Sequence, residues 1–199
     1  MNGLIELLGG ILEKFVKRDF EEEPIKVVIT SSGVTLFLED NYIELVRGSE
    51  YILPRWIAYM LQDMKLASIS DEEIDVSTMN RLAFIEMRNR SPPKFEKLKG
   101  YFYNKAKLRM KIMLRDYSKA NDIKKLQEIA ENLHGIMSST VSLAKTRISK
   151  LLSMLSIQAV SQDIIDNLSE EEKLFYNSMK TLLEVFSKNI FEVETSGGS

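Results

Sequence analysis

The side chains able to do chemistry are few, and their spacing argues against catalysis. His134 is the single histidine of 199 residues, and there is no cysteine. A thiol nucleophile, a Cys-based metal site or a disulfide is therefore ruled out, and His134 has no second histidine with which to begin a metal shell. Gly9-Gly10, Gly33 and Gly48 stand outside any phosphate-cradling glycine pattern. Two carboxylate pairs, Glu72-Glu73 and Glu171-Glu172, fall at expected helix starts, where capping accounts for them. The expectation is a protein that is not an enzyme and takes no cofactor or metal.

One stretch could bind a polyanion. Residues 94–111 interleave Lys94, Lys97, Lys99, Lys105, Lys107, Arg109 and Lys111 with Tyr101, Phe102 and Tyr103. Charge beside stacking rings is the composition of a nucleic-acid surface; a solvated helix face with Phe102 in the core is the blander reading. The overall charge of −2 hides blocks: residues 1–85 carry 8 basic and 15 acidic side chains, a net of −7, whereas residues 86–125 carry 13 and 4, a net of +9. Lys105, Lys107, Arg109 and Lys111 are the candidate polyanion contacts, by phosphate attraction without base readout.

The elements that must position these residues fall into two kinds. Leu4, Leu7, Leu8, Ile11, Leu12 and Phe15 recur at helical spacing and predict a short amphipathic helix. Glu6 and Glu13 interrupt that segment, so it does not read as a leader. Ile25–Thr30, Val34–Leu38 and Tyr42–Val46 are β-branched, aromatic and separated by turn residues, predicting a three-stranded meander. At Leu53-Pro54-Arg55-Trp56 the period changes. Pro54 suits the first turn of a helix, and Trp56 is expected to pin that helix to the strands.

Helical spacing continues from there. Helices are expected over Arg55–Lys65, over Ser77–Asn89 ended by Ser91-Pro92-Pro93, and over Lys94–Ser118. An Asn121-Asp122 cap opens a long helix with a seam at Leu126, Ala130, Leu133, Met137, Thr140, Ala144, Ile148, Leu151 and Leu155. A capping box at Ser169-Glu170-Glu171-Glu172 opens the last helix. Its Leu174, Phe175, Met179, Leu182, Leu183 and Phe186 exceed the apolar surface one helix needs and are a candidate subunit interface. The predicted class is α+β, mostly α. Residues 1–53 form a small β-rich module with an N-terminal helix, 54–194 a larger helical bundle domain, and 195–199 a disordered tail. There is no internal repeat, and no apolar run approaches the ~20 residues that span a bilayer, so a soluble, intracellular protein without membrane contact is expected.

The junction resembles the GINS family of replication factors. A short strand, then Gly48 and Glu50, then Leu53, Pro54 and Trp56 opening a helix are similar to that family's module boundary. Tyr101-Phe102-Tyr103, Ala144–Leu151 and Ser169–Tyr176 resemble its helical patterns. The β-first order resembles the archaeal subunit of that type. The resemblance implies a scaffold subunit in DNA replication, paired with a related subunit of opposite module order in a hetero-oligomer, a tetramer by expectation. It also implies that the assembly bridges the MCM helicase to a RecJ-like protein at the replication fork, in the cytoplasm at the nucleoid. A weak DNA contact is a separate expectation, from the basic stretch. The alternative from the residues alone is a free-standing nucleic-acid-binding helical protein using the 94–111 stretch.

Overall fold

The computed structural model describes residues 2–37, 41–70, 74–88, 94–155 and 160–191. Glu72-Glu73, Ser91-Pro92-Pro93 and the 195–199 tail, all named above, lie outside them. The chain is α+β and mostly helical, with a small antiparallel sheet near its N-terminus. It divides into two compact units, Met1–Glu73 and Ile74–Ser199.

The first unit runs α1 (Asn2–Glu22), β1 (Pro24–Ile29), β2 (Val34–Phe37), β3 (Tyr42–Leu45), β4 (Glu50–Pro54), α2 (Arg55–Asp63) and β5 (Ala67–Ile69). Ile25, Val27 and Ile29 alternate inward along β1, the period expected of a half-buried strand. The strand order is not a meander. β1 lies between β4 and β5, both antiparallel to it, with Ile25 opposite Leu53 and Val27 opposite both Tyr51 and Ile69. β2 and β3 pair only with each other, Val34 opposite Leu45. The chain returns to β1 because Gly48, at φ 82°, donates its N–H to the Ile29 carbonyl at 2.8 Å. Only a residue tolerant of positive φ makes that turn cheaply.

The return of β5 to β1 places α2 within the first unit, so the division falls after Glu73 and not at the expected 53/54 junction. Trp56 does not pin α2 either; it is 49% exposed. Ala58 and Leu61 face the strands, and Trp56 falls off that face. The pin is Arg55, which is buried. Its guanidinium lies 4.5 Å from the centre of the Phe20 ring and donates to Glu23 Oε2 at 2.5 Å, tying the end of α1 to the start of α2.

The second unit contains α3 (Val76–Arg88), α4 (Phe102–Lys119), α5 (Ile123–Met154), the single turn α6 (Gln162–Ile165) and α7 (Glu170–Phe191). Asp75 caps α3 by accepting the Thr78 N–H at 2.6 Å, which holds its carboxyl below the usual range. Asp122 caps α5 through the Lys124 N–H as expected. α3 runs parallel to α5: Val76 sits against Gly135, Asn80 meets Ser139, and Glu86 meets Arg147 and Lys150. Met79, Leu82, Phe102, Ala106, Met113, Ile136 and Leu143 form the core of these three helices.

Two expectations are corrected here. Residues 94–101 are not helical; α4 begins at Phe102. Phe95 and Leu98 are nevertheless buried, because the Leu98 N–H donates to Asn167 and Gly100 accepts from the Glu170 N–H, so the segment lies against the start of α7. The seam of α5 is also rotated from the expected one. Its buried positions are Ile136, Ser139, Leu143, Arg147, Lys150, Leu151 and Met154, whereas Ala130, Met137 and Ile148 are exposed. Two charged residues lie in the middle of the buried face.

Candidate functional site

Arg147 has five N–H donors and all five are used. Nε and Nη2 grip Glu172 Oε1 and Oε2 at 2.6 and 2.7 Å, and Nη1 donates to Glu86 Oε2 at 3.0 Å. The remaining two N–H groups donate to the carbonyls of Glu96 at 2.9 Å and Asn167 at 3.1 Å. Lys150 has three donors, also all used: Glu86 Oε1 at 2.6 Å, the Glu86 carbonyl at 2.8 Å and the Lys94 carbonyl at 2.9 Å. The Phe95 ring lies 4.9 Å from the Arg147 guanidinium and 5.4 Å from the Lys150 ammonium.

The acceptors are equally committed. Glu86 Oε2 also accepts the Glu96 N–H, Glu172 Oε1 the Tyr103 hydroxyl at 2.7 Å, and Glu172 Oε2 the Ser169 N–H at 3.0 Å. Glu172 donates its own N–H to Ser169 Oγ, so the expected capping box is present and serves a second purpose. Two cations and two carboxylates make the centre neutral. Burial opposes the Arg147 charge, but the hydrogen bonds and charge of Glu172 and the charge of Glu86 outweigh it and raise its pKa. The Tyr103 phenol is pushed up by burial and by the charge and hydrogen bond of Glu172, so it stays a neutral donor.

With every N–H donor of Arg147 and Lys150 engaged, the centre joins α3, the 94–98 segment, α5 and the start of α7. Sequence reasoning missed it because partners 61 and 25 residues from Arg147 leave no local pattern. A trace did exist: Arg147 and Lys150 sit three apart beside Leu143 and Leu151, where an amphipathic helix would place apolar residues.

The expected site residues are not gathered in one place. Leu53 and Pro54 belong to β4, Leu53 buried opposite Ile25, and Trp56 points outward. His134 is exposed. On α4, Lys105 and Arg109 are half-buried while Lys107 and Lys111 are exposed. At about 100° per residue the two pairs point roughly 200° apart, so these four cations do not form one surface. Leu174, Phe175 and Met179 are half-buried, and Phe175 packs on Phe95, Leu151, Met154, Leu168 and Tyr176. Leu182 and Phe186 are 59% and 62% exposed, and Leu183 and Ile190 are exposed with them. Every residue from Lys180 to Ile190 is exposed. The outer half of α7 extends away from its bundle with an apolar stripe along it.

No family model matches the chain, and no curated protein matches it in sequence. Among the described residues, no group of three or more His, Asp or Glu side chains is placed to hold a metal ion, and no helix is long and apolar enough to cross a membrane.

Proposed function

We propose that this chain is a non-enzymatic scaffold subunit of a GINS-type hetero-oligomer in DNA replication. It would pair with a related subunit of opposite module order and help to join an MCM helicase to a RecJ-like protein at the nucleoid. The observation that supports this reading is the outer half of α7. All eleven residues from 180 to 190 are exposed, so little tertiary packing supports this half of the 22-residue helix. Leu182, Leu183, Phe186 and Ile190 lie at i, i+1, i+4 and i+8 on one side of it, as an anchor row for a partner helix does. Burying their remaining exposure would supply roughly 3–6 kcal/mol, at about 1.5–3 kcal/mol for each fully buried side chain. The buried ionic centre suits the same purpose, since it fixes the inner end of α7 and so the direction in which the stripe is presented.

The test is co-expression with a GINS-type subunit of opposite module order from the same genome. The two chains are expected to purify together in fixed ratio, and Leu182→Asp with Phe186→Asp to abolish this while leaving the helical circular dichroism of the isolated chain intact. A chain that ignores the partner, or a double variant that still binds it, refutes the reading.

A further inference from the structure

The exposed side of α4 carries a basic array different from the one expected. Lys107, Lys111, Arg115 and Lys119 recur every four residues and all are exposed. Each step advances about 6 Å and turns about 40°, so the four cations form a gently winding stripe roughly 18 Å long. Leu114, also exposed, lies about 60° round the helix from Lys111, while Tyr117 points to the opposite side from Arg115 and Lys119. Residues 102–125 hold eight basic and two acidic side chains, a net of +6. Of the two acids, Asp122 caps α5, and Asp116 stands three residues before Lys119, about 60° round the helix from it. Lys124 and Lys125, both exposed, extend the basic run into the first turn of α5.

We infer that this stripe is a contact site for the phosphate backbone of nucleic acid. An 18 Å stripe matches the rise of about five phosphates of one duplex strand, and the strand winds as it rises, so part of that row faces the stripe. A regular row of like charges matches a regular row of opposite charges. A single acidic residue in a partner protein would need one cation, not four in line. A row of three lysines and one arginine carries the charge that phosphate contacts use to position a protein on a strand. This site is separate from the α7 stripe and does not depend on the scaffold reading.

The experiment is fluorescence polarisation of the whole chain with a labelled 20-base-pair duplex between 50 and 200 mM salt. Four phosphate contacts predict a slope of log affinity on log salt of roughly −3.6, a loss of about 150-fold over that range. The variant Lys107→Gln, Lys111→Gln, Arg115→Gln, Lys119→Gln is expected to bind at least tenfold more weakly at 50 mM salt. A control with the same charge change elsewhere (Lys14→Gln, Lys17→Gln, Arg18→Gln, Lys26→Gln) is expected to stay within threefold of the parent. If the quadruple variant loses its helical signal, Lys111→Gln with Arg115→Gln serves instead, with about half the loss of slope. Absence of binding at 50 mM salt, equal losses in stripe and control variants, or tighter binding of polyaspartate than of duplex each overturns the proposal. Co-purification of the stripe variant with the partner subunit is expected to be unchanged.

Discussion

Arg147→Met is the perturbation with the most fully specified consequence. The substitution keeps much of the apolar stem and removes five hydrogen bonds, two of them the paired grip on Glu172. Glu86 keeps Lys150 and the Glu96 N–H. Glu172 keeps only Tyr103 and the Ser169 N–H and loses its cation, while the carbonyls of Glu96 and Asn167 lose a donor. Breaking a buried ion pair from one side costs about 3–5 kcal/mol, because the stranded charge stays buried. For a helical unit of this size that lowers the melting temperature by roughly 10–20 °C. Urea unfolding followed by circular dichroism at 222 nm measures the loss. Arg147→Lys, a point charge with three donors, is expected to lose about 1–3 kcal/mol. A double-mutant cycle with Glu172→Gln should return a coupling energy above about 1.5 kcal/mol. If Arg147→Met loses less than about 1 kcal/mol, the centre does not hold the bundle and the reasoning fails.

Other substitutions test the remaining parts of the account. Burial raises the Glu171 pKa despite the Asn104 hydrogen bonds, so its ionised form opposes folding. Glu171→Gln should therefore stabilise the protein at pH 7. The gain should shrink as pH falls through the raised folded value and vanish below the ordinary carboxylate range, which paired thermal melts at pH 7 and pH 3.5 would show. Trp56→Ala, at a half-exposed site, should cost under about 1 kcal/mol, whereas Arg55→Met, which breaks the buried contact with Glu23 and Phe20, should cost about 2–3 kcal/mol by urea denaturation. Lys65 holds a φ of 62° after α2, so Lys65→Gly should raise stability by about 1 kcal/mol in the same assay.

What could be read from the sequence was local. The Ser169 capping box spans four residues, the Asp122 cap three, and the inward alternation of β1 six, and each is present in the structure. The course of β4 was not legible, because exposed Ile52 between Tyr51 and Leu53 erases the alternation that marks a strand. Three-residue β5 is too short to show a period and is held by pairing with β1 forty residues away. Residues 94–101 carry helical spacing and are still not helical, since Arg147, Lys150 and Asn167 claim backbone groups of 94–98. The same long-range charges turned the face of α5, because burying Arg147 becomes favourable only when Glu86 and Glu172 arrive from other helices. In the candidate surfaces, composition identified which residues are apolar or basic. Rotation about the helix axis decided which of them reach solvent, and replaced Lys105 and Arg109 with Arg115 and Lys119.

Hydrogen–deuterium exchange across α7, with and without the co-expressed partner subunit, tests the scaffold reading most directly. Amides of residues 180–190 should exchange rapidly in the isolated chain and slow at least tenfold in the complex, while those around Glu172 stay protected in both. Rapid exchange of 180–190 within a stable complex would contradict it.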